Sequence, residues 1–265
     1  MYAFNYQKVK SVADAAAALG KNPDAKLLAG GQSLVASMKL RLANPGQVVD
    51  LGEIPELRGI KASGSTVTIG AMTRHGEVAS SADVKKAIPA LAALAAGIGD
   101  RMVRNMGTIG GSVANNDPAA DYPAALVGLG ATVITNKRKI AADDFFKGLF
   151  ETALQAGEIV TAVEFPVQKR AAYMKFKNPA SRYAIVGVFV ADTSGGPRVA
   201  VTGAGPCVFR QKDMEKALGS KFAAESVASV KQAEGGLNSD IHASAEYRAH
   251  LVTVMAKRAV AAALA

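Results

Sequence analysis

Cysteine is nearly missing from this chain: Cys207 is the one thiol in 265 residues. A single thiol cannot close a disulfide within the chain, nor supply the four cysteines an iron–sulfur cluster normally takes. Tryptophan is absent, and the three histidines, His75, His242 and His250, form no H-x-x-x-H or H-E-x-x-H spacing, so a protein-bound metal is not expected. Neither G-x-G-x-x-G nor G-x-x-x-x-G-K-[ST] occurs, which argues against a Rossmann dinucleotide site and a P-loop.

Long hydrophobic runs are also wanting. The least polar stretches, residues 89–99 and 123–135, fall short of the roughly 18 apolar residues that cross a bilayer, so no membrane span is expected. The first residues lack a basic region followed by an apolar segment, which predicts a cytoplasmic protein without a secretory signal. Acidic residues are the scarcer charge, 22 against 31 Lys and Arg, for a net +9. The densest basic run is only Lys137-Arg138-Lys139, with no aromatic-rich strand beside it. That distribution points away from nucleic acid and toward an anionic cofactor or acidic partner.

Hydrophobic residues make up 49% of the chain, and the 26 glycines are scattered without a period, so a substantial globular core is expected. Ser11 and Asp14 have capping-box spacing before an alanine-rich helix that Gly20 ends. A strand at residues 26–29, a helix at 33–42 and a strand at 47–51 complete an αβαβ opening. Further on, a strand at 65–69 precedes helices at 72–79, 84–88 and 89–96, the last begun by Pro89. Residues 97–121 read as one long functional loop. Strands at 131–135 and 158–165 follow, with a domain boundary at 167–171. Beyond it, strands at 172–176, 183–192 and 198–204 and helices at 212–218, 223–233 and 244–264 make an α+β arrangement.

Two glycine-bearing segments carry the chemistry. Gly30-Gly31 lies between a strand and a helix, where backbone N–H groups can approach an anion, although the same pair suits a tight turn with Ser33 as a cap. Gly107-Thr108-Ile109-Gly110-Gly111-Ser112 is the second, and two such segments suit a diphosphate. After it comes Asn115-Asn116-Asp117-Pro118-Ala119-Ala120-Asp121-Tyr122-Pro123. Its amides and carboxylates suit the hydroxyls of a ribityl or ribose chain, while Asp117 and Asp121 also suit helix caps. Cys207 and His75 read as structural.

Ala29-Gly-Gly-Gln-Ser-Leu34, Lys39-Leu-Arg-Leu42, Val103-Arg-Asn105, Thr108-Ile-Gly-Gly111 and Asp117-Pro-Ala-Ala-Asp121 closely resemble the FAD-binding medium subunit of molybdenum hydroxylases of the carbon monoxide and xanthine dehydrogenase type. Tyr173-Met-Lys-Phe-Lys177, Ala180-Ser-Arg-Tyr183 and Tyr247-Arg248 extend the likeness into the C-terminal part. The resemblance implies a two-part FAD-binding domain of the vanillyl-alcohol-oxidase (PCMH) type at residues 1–168, divided into about 1–57 and 58–168. A C-terminal domain at 169–265 would hold a three-stranded antiparallel sheet and a helical bundle. It also implies that Leu28, Ala29, Gly30, Gly31, Gln32, Ser33 and Leu34, with Gly107, Thr108, Gly110, Gly111 and Ser112, cradle the pyrophosphate. Ala114, Asn115, Asp117 and Asp121 would line the sugar and ring side, and Val160, Lys177 and Tyr183 the isoalloxazine or adenine. Ala36 and Ser112 depart from the family pattern, in which a proline and an acidic or amide residue are frequent.

By the same resemblance, this chain supplies only the FAD step. The molybdenum cofactor would reside on a large partner subunit and two 2Fe-2S clusters on a small one, in a dimer of heterotrimers. Electrons would leave to quinone, NAD or oxygen. A self-sufficient flavin oxidoreductase and a non-catalytic assembly module are the alternatives.

Overall fold

A computed structural model describes all 265 residues. The chain opens with β1 (Asn5–Lys8), α1 (Val12–Lys21), β2 (Ala25–Leu28), α2 (Leu34–Lys39) and β3 (Gln47–Asp50). The Ser11 hydroxyl accepts the Asp14 N–H at 3.1 Å, starting α1 as its spacing predicts. The three strands form an all-parallel sheet in the order β1-β3-β2. Its apolar side is closed by Val49, Leu51, Ile54 and Leu57, with Ala15 and Ala18 of α1. The edge strand β1 is an addition to the expected pattern; all four of its residues are exposed, so it carries no hydrophobic periodicity to read.

The second part comprises β4 (Ile60–Ser63), β5 (Thr66–Gly70), α3 (His75–Ser80), α4 (Ala82–Ala87), α5 (Pro89–Ala96), α6 (Arg101–Met106), α7 (Ile109–Asn115) and α8 (Tyr122–Leu129). It ends with β6 (Thr132–Thr135), β7 (Lys139–Ala141), α9 (Ala142–Phe145), β8 (Phe146–Gly148), β9 (Glu151–Thr152) and β10 (Val160–Pro166). A five-stranded antiparallel sheet runs β4-β5-β10-β6-β7. Residues 97–121, expected as one loop, hold the two short helices α6 and α7 instead. Asp100 caps α6 by accepting the Val103 N–H at 2.9 Å, and Thr108 caps α7 by accepting the Gly111 N–H at 3.2 Å. Helix α3 begins at His75, after a turn in place of the expected first helical residues.

The third part is β11 (Arg170–Lys177), β12 (Ala184–Thr193), β13 (Gly196–Thr202), β14 (Phe209–Arg210), α10 (Lys212–Ser220), α11 (Ala224–Ala228) and α12 (Ala245–Leu264). The α+β class stands as expected, with one correction: the C-terminal sheet has four strands, since β14 pairs with β13. A two-residue strand offers too little pattern to be seen in sequence. The helix expected at 223–233 is only the single turn and more of α11.

Strand β12 is apolar on both faces because both are covered. Val186, Val188 and Val190 pack with Val252, Met255 and Ala259 of α12. Phe189 and Ala191 join the core of the second part, and Phe189 lies so close to Gly128 of α8 that a Cβ there would sit 2.6 Å from the ring. Arg248 on α12 donates to the carbonyls of Ile185 and Gly203 at 2.7 and 2.9 Å and pairs with Asp240, which fixes the helix on the sheet. No helix is long and apolar enough to cross a membrane.

Candidate cofactor cleft

The two glycine segments touch. A Cβ on Gly30 would lie 2.0 Å from the Met106 carbonyl oxygen and 2.7 Å from Gly107 Cα, so only glycine permits the β2–α2 loop to rest on the end of α6. Gly31 then turns with φ +72°, a left-handed conformation that disfavours any side chain. From this turn the backbone N–H groups of Gly30, Gly31, Gln32, Ser33 and Leu34 donate to no acceptor in the protein. A run of free, neighbouring N–H groups is an anion-binding concavity. Ser33 precedes α2 without capping it through its side chain.

The second segment is packed and closed. Ile109 and Gly110 donate to the Thr73 and Ala71 carbonyls at 3.0 and 2.8 Å, and Ser112 donates to the Thr108 carbonyl at 3.0 Å. A Cβ on Gly110 would lie 2.5 Å from that of Ala71. Gly107 and Gly110 thus pack closely against His75 and Ala71, and Gly111 against Thr108.

Between these segments lies a cleft of about 590 Å3, lined by Ala29 through Leu34, by Gly107, Thr108, Gly110, Gly111, Ser112, Ala114 and Asn115, and by Asp117, Asp121, Val160 and Tyr183. Its size falls in the roughly 300–1,000 Å3 range of cofactor sites. Two expected residues stand outside. Leu28 lies behind the loop, its Cδ1 3.3 Å from where a Gly31 Cβ would be. Lys177 is exposed at the end of β11.

The lysine that faces inward is Lys175. Its Nζ pairs with the Asp121 carboxylate at 2.9 Å and donates to the Gly97 carbonyl at 3.0 Å, with both charged side chains nearly fully buried. The Tyr173 hydroxyl donates to the other Asp121 oxygen. Asp121 therefore joins the cleft wall to β11 and does not cap α8. Burial pushes its carboxyl above the usual range, with Lys175 and Tyr173 opposing. The signal for this pair was present in sequence as Tyr-x-Lys, two side chains on one face of a strand. Asp117 accepts the Ala119 N–H at 2.8 Å, a local turn of the kind aspartate favours.

Tyr183 stands half exposed at the rim, and burial followed by the nearby Asp117 raises its hydroxyl pKa. His75 also lines the cleft, and Ile98 and Val103 add apolar wall. Burial, then the Arg104 charge, pushes the His75 pKa down to about 4, so the imidazole is neutral near pH 7. The cleft thus combines free backbone donors with polar side chains and with apolar wall at Val160 and Ile98. Such an arrangement suits an extended ligand with an anionic middle and a flat ring.

Residues 2–168 match the family model described as the FAD binding domain in molybdopterin dehydrogenase, and residues 171–263 match the CO dehydrogenase flavoprotein C-terminal domain. The chain is 37% identical to the carbon monoxide dehydrogenase medium chain of Hydrogenophaga pseudoflava, over 99% of this chain and 97% of that one. It is 36% identical to the glyceraldehyde dehydrogenase medium chain of Sulfolobus acidocaldarius, over 97% and 96%. Its fold superposes on carbon monoxide dehydrogenase from Hydrogenophaga pseudoflava, in a form lacking the Mo-pyranopterin moiety, with a TM-score of 0.91. That match has 37% identity and covers 99% of this chain and 98% of that one.

Proposed function

The chain belongs to the family of FAD-binding proteins of molybdopterin dehydrogenases, and from that premise we propose that it is the electron-transfer subunit of a molybdenum hydroxylase complex. It is an oxidoreductase component that carries FAD. In this reading, electrons arrive from 2Fe-2S clusters on a small partner subunit, after substrate oxidation at a molybdenum cofactor on a large one. They leave through FAD to an external acceptor such as quinone, NAD or oxygen. The assembly is a dimer of heterotrimers, and the chain divides into domains at residues 168/169.

The observation that carries this reading is the run of unpaired N–H groups from Gly30 to Leu34 at the wall of a cleft large enough for a dinucleotide. In this reading the free donors meet the diphosphate with Ser112 nearby, Asn115 and Asp117 line the sugar and ring side, and Val160 and Tyr183 lie near the isoalloxazine or adenine. FAD, when bound, supplies the redox chemistry, and the protein orients it and sets its surroundings. In this reading no side chain here carries out substrate chemistry, which is supported by Asp121 being held by Lys175 and Tyr173 and by the lowered pKa of His75. Relatives of such different kinds as carbon monoxide and glyceraldehyde dehydrogenases share this chain type, which supports placing substrate choice on the partner.

The test is to express the chain alone and with its genomic neighbours, and to identify the nucleotide released on denaturation. FAD in the complex, bleached anaerobically by the partner's substrate, is the expected result. An isolated chain that oxidises an organic substrate with its flavin alone overturns the assignment of substrate chemistry to a partner.

A further inference from the structure

His75 is gripped twice by the second glycine segment. Its N–H donates to the Gly107 carbonyl at 2.9 Å, and its Nε2 lies where a Cβ on Gly107 would approach to 2.6 Å. The residue is 5% exposed and lines the cleft. Its Nδ1 is sealed from solvent with no hydrogen-bond partner, whereas Nε2 is not so enclosed and bonds to nothing in the protein. The Tyr122 hydroxyl is also buried and unpartnered, and its ring centroid lies 5.4 Å from that of the imidazole. Leaving a buried polar group unmet costs on the order of 1–3 kcal/mol, and an apolar residue would fill this position without that cost. Unmet polar atoms on two neighbouring rings, one of them on a residue that lines the cleft, therefore point to a hydrogen-bonded arrangement completed by the ligand.

We propose that His75 is a cofactor-positioning residue: with the cofactor bound, the Tyr122 hydroxyl donates to His75 Nδ1, which fixes the tautomer whose Nε2–H donates to a cofactor oxygen beside Gly107 and Thr108. The inference rests on the reading that the cleft holds FAD. A neutral imidazole suits the role, since each ring nitrogen then has a single defined function, acceptor at Nδ1 and donor at Nε2. Burial and the facing Arg104 keep it neutral.

Equilibrium FAD binding to the full chain, followed by flavin fluorescence, tests it with His75→Leu, His75→Gln and Tyr122→Phe. His75→Leu weakens FAD binding by about tenfold, the worth of one hydrogen bond, while the melting temperature of the FAD-free chain does not fall. His75→Gln, which keeps an N–H at the same reach, restores most of the affinity. Tyr122→Phe is intermediate. In the unsubstituted chain, the 15N resonance of His75 Nδ1 moves to a hydrogen-bonded acceptor position on adding FAD, a readout that requires no variant to fold. Unchanged affinity in His75→Leu, no rescue by glutamine, or an unmoved Nδ1 resonance overturns the role of His75. Failure of the unsubstituted chain to bind FAD both alone and in complex with its partner subunits overturns the functional reading instead.

Discussion

Between β2 and α2, the N–H groups of Gly30 through Leu34 have no protein acceptor, whereas between α6 and α7 those of Gly107, Ile109, Gly110, Gly111 and Ser112 are taken up by Val103, Thr73, Ala71 and Thr108. Both segments pair glycines with small hydroxyl residues and look interchangeable on the page. They differ in what glycine is for. In the first, the left-handed turn at Gly31 holds donors open; in the second, missing Cβ atoms let a short helix settle on residues 71–75. A glycine pair thus signals close approach without saying to what.

The contrast can be broken by substitution, and the largest effect is expected in the closed segment. Gly110→Ala forces a Cβ against Ala71 at 2.5 Å, and we expect a loss of about 3 kcal/mol in the FAD-free chain, read by chemical denaturation. Stability within about 0.5 kcal/mol of the parent would show that the closed segment yields more easily than its contacts imply. Gly31→Ala comes next. A side chain at its φ of +72° costs roughly 1–2 kcal/mol, and the FAD dissociation constant should rise about tenfold as the donors lose alignment. In parallel, inorganic pyrophosphate should raise the melting temperature of the parent and much less that of Gly31→Ala.

Thr108→Val removes the α7 cap and should cost about 1 kcal/mol. The smallest effect belongs to Ser33→Ala, within about 0.5 kcal/mol, since Ser33 makes no side-chain cap bond. A Ser33→Ala loss as large as that of Thr108→Val would mean that the first segment is capped after all, and the distinction between the two would fall.

Much of the architecture was legible where local rules and burial agree. Ser11 starts α1, and Ser244 starts α12 by accepting the Tyr247 N–H at 3.2 Å. The valines of β12 announce a strand covered on both sides. What escaped was held by partners far away in sequence. Helix α7 carries two adjacent glycines, poor helix formers, and its first N–H groups are satisfied by Ala71 and Thr73. The cleft residues came from the family resemblance and the glycine pattern together. Lys177 came from the resemblance alone, and the inward bonds of Lys175 depend on Gly97 and Asp121, both distant in the chain. His75 was passed over because its neighbours Gly107 and Tyr122 are distant in the chain.

The Lys175 ammonium has a consequence for how the protein is made and kept. It belongs to β11, yet its bonds are to Asp121 in the cleft wall and to the end of α5. A ligand that steadies that wall must by mass action hold the C-terminal sheet as well. At a hundredfold excess over its dissociation constant, such a ligand adds about 2.7 kcal/mol to the folded state. A newly made chain that has not met its cofactor should therefore be cut by proteases in both halves, and one that has should resist in both.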